Sequence, residues 1–197
     1  MILIQAIYER RAVRDYTNVA VPRAKIMELL HAAVQAPSAV NQQPWAFAVF
    51  HEKEKLKSYS DRAKSHFAQT LDAPAPEQLQ NMLTDPDFNI FYNASTLIVI
   101  RARPGETNAA EDCCLAAQNL ILAAYAMGLV TCPIGLARPW LNLPAVKAEL
   151  GIPAQLTPVF PVIVGYAASQ PPGVPRNPPE ILVWSGAVHM DKKEQDA

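Results

Sequence analysis

The chain is 197 residues long, half of them hydrophobic and 18% charged, which suits one domain with a sizeable core. Seventeen Lys plus Arg against eighteen Asp plus Glu give a net charge of -1, so there is no basic excess to release counterions from a nucleic-acid backbone, and a dedicated DNA or RNA binder is not expected. Cys113, Cys114 and Cys132 form neither an even disulfide framework nor a CxxC pair, which points to a reduced, intracellular chain. The opening residues reach Arg10 and Arg11 without the basic start, apolar middle and cleavage site of a secretory signal, so a cytoplasmic location is expected. Eighteen prolines against seven glycines favour rigid connections over flexible linkers.

In chain order, residues 2–11 carry apolar side chains at 3, 4 and 7 and predict a short amphipathic helix. Residues 22–36 predict a second helix, opened by Pro22 where a missing donor costs nothing and stopped at Pro37. Residues 37–44 form a loop between two prolines, feeding a buried strand over 45–50. Two charged, surface-type helices follow over 53–70 and 76–83, broken by Asp85, Pro86 and Asp87 before a strand over 95–100. Residues 109–127 predict the most apolar helix, a central buried one, with Glu111 and Asp112 at its start and Gly128 as its cap. Gln118 and Asn119 interrupt it, and its apolar run is shorter than the roughly 20 residues a bilayer requires, so no membrane span is predicted. A third strand over 129–134, a helix over 139–150 and a fourth strand over 159–166 complete the regular elements. Five prolines within 170–180 predict an extended arm, and 181–184 could add an edge strand.

Among residues that could carry chemistry, Arg10, Arg11 and Arg14 place three guanidiniums within five positions, suited to a phosphate, although for the cluster alone a solvated charged face is the commoner case. Pro37, Ser38, Ala39, Asn41 and Gln43 lie on a proline-braced loop whose hydroxyl and amides match the edge of a heterocycle. The same groups could instead cap the loop's own turns. Pro133, Ile134 and Gly135 leave a strand where backbone could approach a ligand, or simply turn. Cys132 has no nearby His to activate it and receives no catalytic role, and His31, His51, His66 and His189 lack metal-ligand spacing. No GxGxxG, GxxxxGK or GxSxG motif is present, so a nucleotide, if bound, is held by other means.

Taken together, Arg10 to Arg14, the Ala36-Pro37-Ser38 to Pro44-Trp45 loop, Gln118-Asn119, Gly128-Leu129, Gly151 to Pro153, Val164 to Tyr166 and Arg176 resemble the FMN-dependent nitroreductase family over nearly the whole chain. The resemblance implies an α+β fold, a mainly antiparallel central sheet flanked by helices, as one domain over residues 1–197. It implies an intertwined homodimer with FMN at the interface, residues 168–197 forming a C-terminal arm that crosses onto the partner. By position, Arg10, Arg11, Arg14 and Arg176 would hold the phosphate and ribityl end of FMN; Pro37, Ser38, Ala39, Asn41 and Gln43 would meet the ring, and Pro133, Ile134 and Gly135 would lie beside its reactive nitrogen. NADH or NADPH would be the reductant and a nitroaromatic, quinone or similar small molecule the acceptor, in ping-pong order with no side-chain acid. Ala12 departs from the family's usual Ser and Val174 from a basic residue; the lost hydroxyl bond is worth about 1 kcal/mol. Two alternatives stay open: a flavin enzyme with a dedicated substrate, for dehalogenation or flavin breakdown, and a flavin-binding module without turnover. Trp45, Phe91, Tyr92 and Trp140 could be core or substrate shelf.

Overall fold

The computed structural model describes residues 3–70, 76–105, 107–169 and 171–186. Its centre is β2 (Thr96–Ala102), a run of strand formers buried at every position. β2 pairs antiparallel with β1 (Trp45–Phe50) on one side and β4 (Thr157–Gly165) on the other, and β3 (Val130–Pro133) pairs antiparallel with β4. The order β1-β2-β4-β3 puts the first strand and the third at opposite edges of the sheet. The sheet is therefore antiparallel throughout, as the family resemblance led one to expect.

Because successive side chains of a strand point to opposite faces, β2 sends Ile98 and Ile100 one way and Leu97 and Val99 the other. Ile98 and Ile100 meet α2 (Arg23–Ala33) and α5 (Ala109–Ala126). Leu97 and Val99 meet α3 (Lys53–Gln69), α6 (Arg138–Leu141) and α7 (Pro144–Glu149), together with Val13 and Tyr16. The short α1 (Leu3–Glu9) and α4 (Glu77–Thr84) pack at the periphery, and no described helix is long and apolar enough to cross a membrane.

In α5, Cys113, Ala116, Ala117, Leu120 and Ala124 recur at helical spacing and face the core, the small side chains letting α2 and the sheet approach closely. The helix expected to be central and buried is buried along this face, while Cys114, Leu115 and Gln118 face outward in the protomer, where no described element covers them. In α1 the expected apolar stripe is inverted: Ala6 is buried while Leu3, Ile4, Ile7 and Tyr8 stand in solvent in the protomer. The predicted helix over 139–150 is two pieces, since Pro144 lacks an amide donor and holds Leu143 in an extended conformation (φ -63°, ψ 132°). Residues 181–184 form no strand; Leu182 and Val183 are more than four-fifths exposed, with no ladder partner among the described residues.

One connection matters most for the site. After α1 the chain runs along the outer edge of β3, Ala12 bridging Thr131 and Tyr16 bridging Ala167. The Val13 amide donates to the Thr131 carbonyl (3.0 Å) and the Thr17 amide to that of Tyr166 (2.9 Å). The arginine-bearing segment is thereby fixed to a sheet edge and is not free surface.

Candidate functional site

Arg10 and Arg11 line a cavity of about 220 Å³ together with Ile121 and Tyr125 of α5, Thr131 of β3 and Gly173 of the tail. Burial, followed by the guanidiniums of Arg176 and Arg11, draws Arg10 below its ordinary pKa, so three positive groups from both ends of the chain share one patch. None of Arg10, Arg11, Arg14 and Arg176 is in an ion pair among the described residues. Glu9 also lines this cavity, with Oε2 accepting from Tyr125 Oη (2.8 Å) and Gln5 Nε2 (3.0 Å). Arg11 differs from its neighbours: its Nη1 donates to the carbonyls of Tyr8 (2.7 Å) and Arg10 (2.8 Å), closing the end of α1. Its Nε is buried without a partner among the described residues. A buried unmatched donor beside two further cations fits an anion, which would supply acceptors the protein lacks.

Arg14 belongs to a second cavity, about 650 Å³, where it is joined by Pro133, Ile134 and Gly135, by Tyr92, and by Met82 of α4. Its guanidinium lies 5.9 Å from the Tyr92 ring centre, and its charge works against the burial that raises the Tyr92 pKa. Of the exit from β3, Pro133 has no amide donor and the Ile134 amide is taken by the Pro161 carbonyl (2.9 Å). Gly135 N–H makes no backbone hydrogen bond among the described residues, and nothing lies within 4 Å of where its Cβ would be. Of this run, Gly135 is thus the residue whose amide is left for a ligand, and its missing side chain allows close approach. Cys132, next to it, is buried, and burial pushes its thiol up, keeping it protonated.

Tyr92 is held in place from below. It sits with Asn93 in the left-handed region (φ 50° and 58°), at the end of a loop stapled to α3. The buried Lys64 Nζ donates to the Asp85 (2.5 Å) and Phe88 (3.0 Å) carbonyls, and Ser60 Oγ accepts from the Ile90 amide (2.9 Å). Of the four aromatic residues singled out in the sequence, Trp45, Phe91 and Trp140 are core, and Tyr92 lines the cavity. The cavity residues that sequence reasoning missed are Pro76, Gln78, Leu79, Met82, Ile90 and Leu136. On α4, Leu79, Met82 and Leu83 recur at helical spacing among polar residues, a detectable signal of a face turned to something apolar.

The loop over 37–43 lies elsewhere. Ala39 N–H donates to the carboxylate of Asp112 near the start of α5 (3.2 and 3.4 Å), whereas the first cavity touches α5 at Ile121 and Tyr125. At about 1.5 Å of rise per residue, Asp112 and Tyr125 are about 20 Å apart along the helix. The loop also leads into β1, at the sheet edge opposite β3. Within one protomer, then, Arg10, Arg11 and Arg176 form one group, Arg14 and residues 133–135 an adjoining one, and Pro37, Ser38, Ala39, Asn41 and Gln43 a third that does not touch them. Within the third group Ser38 Oγ accepts from the Gln43 amide (2.9 Å) and Gln43 Nε2 donates to Asn41 Oδ1 (3.1 Å). Pro171 and Gly173 stay on their own protomer, and a Cβ placed on Gly173 would lie 3.7 Å from Arg11 Nη2.

The sequence signature of the Nitroreductase family matches residues 7–166, and the chain belongs to that family of oxidoreductases. A protein of Archaeoglobus fulgidus, named for NADH dehydrogenase/NAD(P)H nitroreductase activity, is 30% identical over 83% of this chain and 84% of its own. An iodotyrosine deiodinase of Thermotoga neapolitana is 27% identical over 89% of this chain and 92% of its own. A nitroreductase with bound FMN from Bacteroides fragilis superposes with a TM-score of 0.80 at 26% identity, covering 94% of this chain and 98% of that one.

Proposed function

We propose that this chain is an FMN-dependent NAD(P)H oxidoreductase of nitroreductase type, working as a homodimer. The observation that carries the reading is the patch of Arg10, Arg11 and Arg176, free of ion pairs among the described residues and adjoining a larger cavity floored by Gly135. Guanidinium forks bind phosphate through paired, charge-assisted hydrogen bonds, so Arg10 and Arg176 would hold the FMN phosphate, with Arg11 offering its unmatched Nε. Arg14, set apart from that patch, would meet the ring, as would the Gly135 amide. Bound FMN would take a hydride from NADH or NADPH and later pass it to a nitroaromatic, quinone or similar acceptor, in ping-pong order. The protein's share is anchoring and orientation, with Leu79, Met82 and Tyr92 shaping the space the acceptor enters.

The homodimer reading is supported by the distance between the two halves of the site. Pro37, Ser38, Ala39, Asn41 and Gln43 can meet a ring held by Arg10 and Arg14 when they come from a second copy, since in one protomer they lie at opposite sheet edges. Leu3, Ile4, Ile7 and Tyr8 of α1 and Leu115 of α5 leave apolar surface uncovered in the protomer, and Leu182, Val183 and Trp184 of the arm do the same. An arm reaching across onto the partner would cover part of it.

The test is FMN titration of the wild type and of the Arg10→Ala/Arg176→Ala pair, followed by steady-state NADH and NADPH oxidation with a nitroaromatic. The pair should weaken FMN binding by about 100-fold or more, two charge-assisted bonds being lost, with helical content unchanged. Wild-type protein that takes up no FMN, or a double variant that keeps its full flavin, overturns the assignment. Flavin uptake without NAD(P)H oxidation would leave a binding module only.

A further inference from the structure

We propose that Asp112 is a positioning residue for the flavin: from α5 its carboxylate holds the backbone of Ala39 and so fixes the left-handed turn that presents Ser38, Asn41 and Gln43. The inference rests on the flavin reading and adds to it a residue that touches no cofactor.

The turn is costly to hold. Val40, Asn41 and Gln43 have φ of 47°, 58° and 48°, a region that L residues avoid because Cβ crowds the following carbonyl, and Val40 is β-branched as well. Such conformations persist where the surroundings over-determine them, and they concentrate at ligand clamps. The bonds made inside the loop, Gln43 N–H to Ser38 Oγ, Gln43 Nε2 to Asn41 Oδ1, and the Asn41 and Gln42 amides to the Ser38 and Ala39 carbonyls, close it on itself without joining it to the body of the protein. Among the described residues, two backbone amides make hydrogen bonds that do join it. The Arg103 amide donates to the Pro44 carbonyl (2.9 Å) at the exit, where β1 begins. At the entrance the tie is Asp112, 73 residues away in sequence, whose two oxygens accept from Ala39 N–H at 3.2 and 3.4 Å.

Asp112 is poorly explained as a purely structural residue. It is 5% exposed and makes no ion pair among the described residues. A buried carboxylate without a cation is expensive, and the positive end of α5 offsets part of that cost. An apolar residue would pack there without the penalty. What the carboxylate adds is a fixed acceptor for a loop amide, holding the loop in its binding shape before the ligand arrives. Preorganisation of that kind appears as affinity, since the ordering cost is met during folding.

The experiment compares Asp112→Ala and Asp112→Asn with the wild type, each stripped of flavin and then titrated with FMN, with the visible absorption band of the bound flavin recorded. Asn keeps an oxygen at the same place and should bind FMN within about 3-fold of wild type with an unaltered band. Ala should weaken binding about 10-fold or more and shift the band, with far-UV circular dichroism and oligomer mass unchanged. An Ala variant with wild-type affinity and spectrum overturns the proposal, as does an Asn variant as impaired as Ala. Should the Ala variant fail to fold, amide hydrogen exchange in the wild-type apoprotein decides: Ala39 N–H must be protected well beyond Val40, and equal exchange refutes the tie. Wild-type protein that takes up no FMN refutes the flavin reading instead, an outcome that the Ala39 exchange result keeps separate.

Discussion

The ring of Tyr16 lies against the backbone of Gly165 so closely that a Cβ there would stand 2.6 Å from Tyr16 Cδ1 and 3.3 Å from Cε1. Gly165 ends β4, and Tyr16 lies two residues beyond Arg14 on the segment that runs along β3. The fit buries the ring and leaves its hydroxyl without a partner among the described residues, and burial drives the phenol pKa upward. Gly165→Ala must push a rigid aromatic ring aside and lift residues 12–17 from the sheet edge. Overpacking of this kind costs about 1–3 kcal/mol, or a fall in Tm of about 2–10 °C at this chain length. FMN affinity should drop with it, because Arg10 and Arg14 ride on the same segment. A thermal melt and an FMN titration of the variant check both, and an unchanged Tm would show that the ring has room to yield.

Val40 offers a change in the opposite direction. It is 92% exposed with a φ of 47°, so its side chain buries almost nothing while its backbone is held where β-branched residues are disfavoured. Val40→Gly removes a steric cost of about 1–2 kcal/mol and adds about 0.5–1 kcal/mol of chain entropy to the unfolded state. The net should raise the Tm of the apoprotein by about 1–4 °C, read by circular dichroism or calorimetry. A lower Tm would mean that the loop is less constrained than its dihedral angles indicate.

The ion pair between Arg62 of α3 and Glu149 of α7 has a predictable pH signature. Two parallel bonds of 2.7 Å join the guanidinium to both carboxylate oxygens, and Arg62 also stacks 5.2 Å from the Trp140 ring centre. The hydrogen bonds from Arg62 hold Glu149 below its ordinary pKa of 4.5. A carboxyl depressed by folding stabilises the fold above its unfolded value and loses that contribution as pH falls through the folded one. Both side chains are nearly half exposed, so solvent and salt screen the pair and its worth is small. Glu149→Gln should therefore lower the Tm by about 1–3 °C at pH 7 and low salt. The gap should close below pH 4.5 and in high salt. A gap that persists once the pH is low enough to protonate Glu149 in the folded protein would mean that the loss comes from packing and not from charge.

Local chemistry accounts for what could be read without coordinates. The run of strand formers over 95–100, the helical spacing over 22–36 and 109–127 and the proline boundaries of the 37–44 loop are each written in neighbouring residues, and β2, α2 and α5 appear there to within a few residues. Reading fell short where the answer depended on a partner distant in sequence. Residues 181–184 have strand propensity but no ladder partner among the described residues, and the apolar stripe of α1 looks outward because no described element covers it. The helix over 139–150 was misread for a local reason, the break that Pro144 imposes.

For the candidate site the division is sharper. Residue types were legible: guanidiniums suited to phosphate, amides on a braced loop, a glycine where a strand ends, and the family they resemble. Their grouping was not. The sequence placed Arg10, Arg11 and Arg14 together, yet Arg11 turns to close α1, Arg14 joins Tyr92 and Gly135 in a second cavity, and Arg176 arrives from the far end of the chain to stand beside Arg10. Sequence alone thus determined the chemistry on offer, because donors, charge and backbone freedom belong to individual residues. The tertiary structure decided which groups act on one point in space, because sheet order sends the arginine segment to one edge and the amide loop to the other, some 20 Å away along α5, a separation that no local pattern encodes.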